Sequence, residues 1–350
     1  MKYLRLLLFP FSLVYGLVVL MRNWFYDAGI FESREFNMSV ISVGNLEVGG
    51  AGKSPMTEYL IRLLKNQYKL ATLSRGYGRT TQGFLMADAT TDASQIGDEP
   101  TQFKSKFPDI TVAVCENRVV GIEQLKADHD VILLDDAYQH RAVKSGLSIL
   151  LFDYKAVTHP QFLLPAGNLR EPFSGRWRAD VIVISKCPED ISDKKRKEIG
   201  YKITLLPYQQ LYFSVIDYLP LQDMAGQTAS VNIDANTTVF LLTGIANPAP
   251  LLSHIKNQTL SVIHHNYADH HSFSLKNITK LANDFNTCTS QKKLIITTEK
   301  DAQRLGVHEL QQTLATLPVL VQPIGIKFLN DQQMFDQTIF DYVRQYPSHH

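Results

Sequence analysis

Val40-Ile41-Ser42-Val43-Gly44-Asn45-Leu46-Glu47-Val48-Gly49-Gly50-Ala51-Gly52-Lys53-Ser54-Pro55 carries an apolar strand into a glycine-rich loop and then into a helix that the pattern extends through Leu64. Glycines let backbone N–H groups turn toward an anion, and a helix N-terminus adds a positive dipole. The stretch therefore reads as a cradle for nucleotide phosphates, with Gly49, Gly50, Ala51, Gly52, Lys53, Ser54 and Pro55 in contact with them. Lys53 is placed to bridge the β- and γ-phosphates and the Ser54 hydroxyl to sit on Mg²⁺. The strict spacing of the common phosphate loop is not met, because its first glycine would fall on Glu47; Gly49, Gly50 and Gly52 supply a shifted set.

Working outward, alternating strand-like and helix-like runs predict an α/β fold with a mostly parallel sheet. Strands are expected at Lys69–Leu73, Ile110–Cys115, Val131–Leu134, Ser148–Phe152 and Asp180–Ile184, and then at Thr238–Leu242, Leu260–His264, Lys293–Thr297 and Pro318–Val321. Helix-compatible segments, Pro100–Lys106 and Asn117–Ala127, lie between. The segment Leu205–Met224, with two prolines and alternating aromatics, reads as a linker. The expected organisation is a hydrophobic helix over 1–26, a nucleotide-binding domain over 27–204, the linker over 205–224 and a smaller α/β domain over 225–350.

At 350 residues, 45% hydrophobic and 20% charged, the chain is of ordinary globular composition. A net charge of +1 with no long basic run gives no sign of nucleic-acid binding. Three scattered cysteines, Cys115, Cys187 and Cys288, make neither a disulfide framework nor a zinc pattern. The N-terminus is different. Leu6 to Met21 is uncharged and mostly apolar, with Lys2 and Arg5 before it and Arg22, Trp24, Phe25 and Tyr26 after it. As a helix it would reach about 24 Å, short of a ~30 Å hydrocarbon core, and Pro10 and Gly16 weaken it. Attachment at a membrane surface is the expectation, rather than a span.

Val131-Ile132-Leu133-Leu134-Asp135-Asp136 is an apolar strand ending in two acids, where phosphate-loop proteins hold Mg²⁺. Gln139, His140 and Arg141 follow with donors that could face phosphates. Asp98 and Glu99 open a helix; they read either as a cap and first-turn acid or, for Asp98, as a general base. The loops Ser74-Arg75-Gly76-Tyr77-Gly78-Arg79 and Leu164–Pro172, the latter with Arg170 and Glu171, follow strand ends where anionic ligands bind. His264, His265, His270 and His271 cluster around Asp269, as an Asp–His pair or a metal site. Ser185-Lys186-Cys187-Pro188 has proline where a guanine-reading aspartate belongs, which favours ATP over GTP.

Jointly, Gly44–Pro55, Ser74–Arg79, Gly97–Pro100, Asp135–Arg141, Leu164–Pro172, Gly244–Pro248, Asp269-His270 and Thr297–Leu305 resemble, in order, the tetraacyldisaccharide 4′-kinases of lipid A synthesis. Ala137-Tyr138 stands where that family usually has Gly-Phe, and Ser54 where it usually has Thr.

The resemblance implies transfer of the ATP γ-phosphoryl to the 4′-hydroxyl of a tetraacylated glucosamine disaccharide 1-phosphate. It implies catalytic roles for Asp98, His270, Lys53, Arg170 and Glu171, with Asp98 the base and His270 tuning its proton affinity across a cleft that the second domain closes. Ser54, Glu99, Asp135 and Asp136 would hold Mg²⁺. Asn45, Ser74, Arg75, Gly76, Tyr77, Arg79, Gln139, His140 and Arg141 would bind substrate. It further implies a peripheral or monotopic enzyme, a monomer without nucleic-acid partners, whose partners are the acylated glucosamine disaccharide 1-phosphate and the cytoplasmic face of a Gram-negative inner membrane. The competing class is a metal-insertion nucleotidase that uses the histidines.

Overall fold

The computed structural model describes residues 5–88 and 90–346; Lys2, expected to lead the apolar segment, lies outside them. In chain order the strands are β1 (Ser39–Asn45), β2 (Leu70–Ser74), β3 (Leu85–Met86), β4 (Thr111–Val114), β5 (Val131–Asp135), β6 (Leu147–Asp153), β7 (Val181–Ser185), β8 (Gln210–Tyr218), β9 (Thr238–Thr243), β10 (Ser261–Asn266), β11 (Lys293–Thr298), β12 (Val319–Gln322) and β13 (Ile324–Phe328). The chain divides into two compact units, Met1–Asp217 with Gly325–His350, and Tyr218–Ile324.

The first unit holds a nine-stranded sheet in the order β13-β8-β7-β6-β1-β5-β2-β4-β3. β1 pairs in parallel with β5 and β6, and the short β3 is antiparallel to its neighbour β4. All seven residues of β1 are buried, as a central parallel strand covered on both faces requires. Ile41 and Val43 join Met56, Leu60, Ile61 and Leu64 of the helix Lys53–Leu64 in one core layer. Their spacing of four, one and three residues keeps those four side chains on one helical face. Val40 points into the opposite layer with Leu73, Ala113 and Ile122. This pins the strand that feeds the glycine-rich loop.

Two features differ from the expected organisation. The segment 205–224 contains β8, which pairs with β7 and extends the first sheet, so the chain leaves the first unit only at Tyr218. The C-terminal residues return to the first unit instead of ending in the second. Phe335, Ile339, Tyr342 and Val343 of the helix Gln332–Val343 complete the core layer under β1. The Tyr342 hydroxyl donates to the Val40 carbonyl at 3.1 Å and accepts from the Val40 N–H at 3.0 Å.

The N-terminal helix Phe9–Asp27 belongs to the first unit. Pro10 sits in its first turn, where a missing N–H costs nothing. Gly16 allows close approach, since a Cβ there would lie 2.7 Å from Leu163. No helix among the described residues is long and apolar enough to cross a membrane.

The second unit has a four-stranded parallel sheet in the order β10-β9-β11-β12. Phe240, Leu242 and Ile295 pack against Ile278, Leu281 and Phe285 of the helix Leu275–Thr287 on one face. Val239, Leu241 and Ile296 meet Leu251 and Ile255 on the other.

Candidate active site

The carboxyl ends of β1 and β5 lie side by side, with Val43 opposite Asp135. That register brings the glycine-rich loop to the two acids. Gly49 and Gly52 adopt φ of 119° and 86°, a left-handed region that a β-carbon disfavours. Gly52 caps the helix that begins at Lys53. The Lys53 ammonium donates to Asn45 Oδ1 at 3.1 Å and lies 3.4 Å from Asp136 Oδ1.

Asp136, at φ 46°, faces two cations. Burial pushes its carboxyl up, but Lys53 and Arg170 outweigh that and hold it below the ordinary range. Asp135 goes the other way. It is fully buried, and its pKa is pushed up to about 7 by that burial and by the negative charges of Glu99 and Asp136. The Thr57 hydroxyl donates to Asp135 Oδ1 at 2.9 Å, and Ser54 Oγ lies 3.5 Å from Glu99 Oε1. Ser54, Thr57, Glu99 and Asp135 thus share one corner. Thr57 escaped the sequence reading, although it lies one helical turn past Ser54.

Gly97 brings Asp98 to this region. It has φ 91°, and a Cβ on it would lie 2.7 Å from the Tyr77 carbonyl, so the 74–79 loop packs directly on the start of the helix Asp98–Lys106. In that loop Ser74 is buried, Arg75 and Tyr77 are exposed, and Gly76 has φ 71°. Arg79 is occupied by Glu116 and the Gly83 carbonyl.

The residues after β5 make contacts within the scaffold. Gln139 Nε2 donates to the Asn45 carbonyl at 2.8 Å, and Arg141 donates to the Asn23 carbonyl and Asp27 of the N-terminal helix. His140 Nε2 accepts the Arg118 N–H at 3.3 Å. Burial, then the charges of Arg118, Arg75 and Arg22, push its pKa down to about 4, so it is neutral at physiological pH. Glu171 is buried, with Arg178 at 2.7 Å and Asn23 at 3.2 Å. Arg118, buried with its backbone at a helix start, had no signal in the sequence.

The N-terminal helix is fastened to the segment around Leu163 and Arg170 and to Gln139. Ser12 donates to the Leu163 carbonyl, the Tyr15 hydroxyl to the Arg170 carbonyl at 2.7 Å, and Arg22 to the Gln139 carbonyl. These residues form one face of the helix. The other face exposes Leu7, Phe11, Leu13, Val14, Leu17, Val18 and Trp24 with the turn before it.

In the second unit, three of the motif segments meet at the carboxyl edge of the sheet. Asp301 Oδ2 accepts the Gly244 N–H at 3.0 Å and the Thr298 hydroxyl at 2.8 Å. Arg304 donates to the Gly244 carbonyl and faces His270 Nδ1 at 3.0 Å. His270 has φ 57° and its N–H is held by Gly244 at 3.1 Å. The other histidines are engaged separately: His264 with Thr243, His265 with Asp284, His271 with Asn277. No group of three or more His, Cys, Asp or Glu among the described residues is arranged to hold a metal.

A family model described as tetraacyldisaccharide-1-P 4′-kinase matches residues 4–344. The chain is 44% identical to the tetraacyldisaccharide 4′-kinase of Phocaeicola vulgatus over 347 residues, 97% of this chain and 95% of that one. It is 44% identical to the enzyme of the same name from Flavobacterium johnsoniae over 349 residues, 99% of each. The crystal structure of the "apo" form of LpxK from Aquifex aeolicus in complex with ATP is similar at a TM-score of 0.75. That match has 26% identity and covers 97% of this chain and 99% of the other.

Proposed function

Because this chain belongs to the tetraacyldisaccharide-1-P 4′-kinase family, we infer that it transfers the γ-phosphoryl of ATP to the 4′-hydroxyl of tetraacyldisaccharide 1-phosphate in lipid A synthesis. The observation that carries the reading is the convergence of Lys53, Ser54, Asp135, Asp136 and Arg170 on the glycine-rich loop. Phosphoryl transfer asks a protein chiefly for positioning and for charge where the transferring oxygens become more negative. Lys53 serves the β/γ-phosphates, and Arg170 the transferring group. Asp98 accepts the proton of the attacking 4′-hydroxyl. Arg75, Tyr77 and His140 bind the acceptor.

The donor set suits Mg²⁺, which takes one or two protein oxygens and leaves its other positions to phosphate and water. Ser54 with Asp135 or Glu99 would hold it, and a cation there would relieve the charge that raises Asp135. When bound, Mg²⁺ neutralises the β/γ-phosphate charge.

The exposed apolar face of the N-terminal helix rests on the cytoplasmic membrane surface, as a peripheral attachment that meets a lipid substrate within the bilayer. Its polar face fastens it to the Arg170 loop, which would keep the catalytic groups close to that surface.

The test uses the full chain in detergent micelles with γ-labelled ATP, Mg²⁺ and tetraacyldisaccharide 1-phosphate. Labelled lipid is expected with the wild type and not with Lys53→Ala. Free phosphate without labelled lipid would overturn the reading.

A further inference from the structure

The Ser185-Lys186 pair, unsuited to reading a guanine base, has a definite place beneath the glycine-rich loop. The Ser185 hydroxyl donates to the Ala51 carbonyl at 2.7 Å. The Lys186 ammonium donates to the Gly50 carbonyl and pairs with Asp153 Oδ2 at 3.1 Å. Two successive peptide carbonyls of the loop are therefore gripped by the residues that end β7 and follow it.

The grip is itself anchored. The Cys187 N–H donates to the Ser214 carbonyl at 2.9 Å, tying the turn to β8. Lys186 takes φ 56°, a left-handed conformation that a lysine adopts at a cost. That backbone turn sends the side chain back under the loop. Ser185 also packs where Gly52 lacks a side chain, its Cβ 3.7 Å from the site a glycine β-carbon would occupy.

In a trans peptide the C=O and the following N–H point in opposite directions. Fixing the Gly50 and Ala51 carbonyls toward β7 therefore aims the Ala51 and Gly52 N–H groups away from it. Backbone donors of this kind are what a phosphate loop offers an anion. In this structure the Ala51 N–H is turned onto the Gly49 carbonyl at 3.0 Å. A loop made largely of glycine has many competing orientations. An outside clamp removes them before the nucleotide arrives.

We propose that Lys186, backed by Ser185 and Asp153, is a positioning residue for ATP: it fixes the Gly50 carbonyl and so limits the conformations the glycine-rich loop must give up when the phosphates bind. This rests on the kinase reading of that loop. It assigns Lys186 to nucleotide affinity and not to the lipid acceptor.

The experiment compares wild type, Lys186→Met, Lys186→Arg and Asp153→Asn, measuring ATP binding by calorimetry, KM for each substrate and thermal melting. Lys186→Met is expected to weaken ATP binding and raise its KM by about tenfold or more, the scale of a charged hydrogen bond. The lipid KM should stay within about twofold by the same reasoning, and Lys186→Arg should recover most of the ATP affinity. Asp153→Asn keeps the helix cap that Asp153 gives the Lys155 N–H, because asparagine caps equally well, and removes the negative charge that pairs with Lys186. A loss of about threefold in ATP affinity is expected there, and it reads the proposal even if Lys186→Met fails to fold. Unchanged ATP affinity in a folded Lys186→Met or in Asp153→Asn overturns the proposal, as does an equal rise in both KM values. The kinase reading fails separately, when the wild type binds ATP but labels no lipid.

Discussion

Arg170 holds Asp136 by both carboxylate oxygens, at 2.9 and 3.3 Å, and sets the same guanidinium on Asn45 Oδ1 at 2.5 Å. One planar group thus links the end of β1, the end of β5 and the loop fastened to the N-terminal helix. A lysine could keep the charge but not the three-way geometry. Arg170→Lys is expected to lower kcat by roughly 10²-fold, the scale of a lost charge-stabilising donor. Its melting temperature should stay near that of the wild type. Steady-state kinetics at saturating substrates check this, and a loss below threefold would remove Arg170 from the transfer step.

Asp98 tests the division between binding and chemistry. Asp98→Asn keeps the shape and most of the polarity at the start of its helix and removes the proposed proton acceptor. It is expected to cut turnover by at least ~10²-fold while ATP affinity holds.

Much of this frame was legible because local pattern carried it. The run Val40–Asn45, the glycines and Lys53 specify strand, loop and helix within sixteen residues, and the helix does end at Leu64. β5 and its two acids were readable for the same reason. The elements misread are those whose partners are distant. β8 looks like a connector because its alternating aromatics give no sign that β7 will pair with it. Nothing near Phe335 or Tyr342 says that this helix will close the core under β1, three hundred residues earlier. Side-chain roles were harder still. Gln139 and Arg141 resemble ligand donors, yet they hold Asn45 and the N-terminal helix. Lys186 resembles a surface lysine.

Membrane attachment can be separated from catalysis on the N-terminal helix. Val14 and Val18 are exposed one turn apart, on the face away from Ser12 and Gly16. Val14→Glu with Val18→Glu places two charges where an acyl boundary is expected. Co-sedimentation with anionic phospholipid vesicles should fall by about tenfold or more. ATP binding should not change, because neither side chain belongs to the fastening face. Equal sedimentation of variant and wild type would refute the attachment surface.

Glu47 gives a pH test remote from Asp135 and Glu99. It is buried, its Oε1 has no hydrogen-bond partner, and its pKa is pushed up to about 7 by burial and then by Asp153, against Lys186. It lines a cavity of about 220 Å³ with His159, Gln161 and Lys202. Unfolded, it would ionise near 4.5. Below that value the carboxyl is protonated in both states and costs folding nothing. As pH rises toward 7 the unfolded chain releases the proton more readily, so stability declines across that window and levels off above it. Glu47→Gln mimics the protonated form. It should therefore melt higher than the wild type at pH 8, by about 2 °C or more, and match it near pH 4.5. Calorimetric melts at both values decide the point, since a gain of equal size at each pH would mean that the substitution acts through packing and not through the charge.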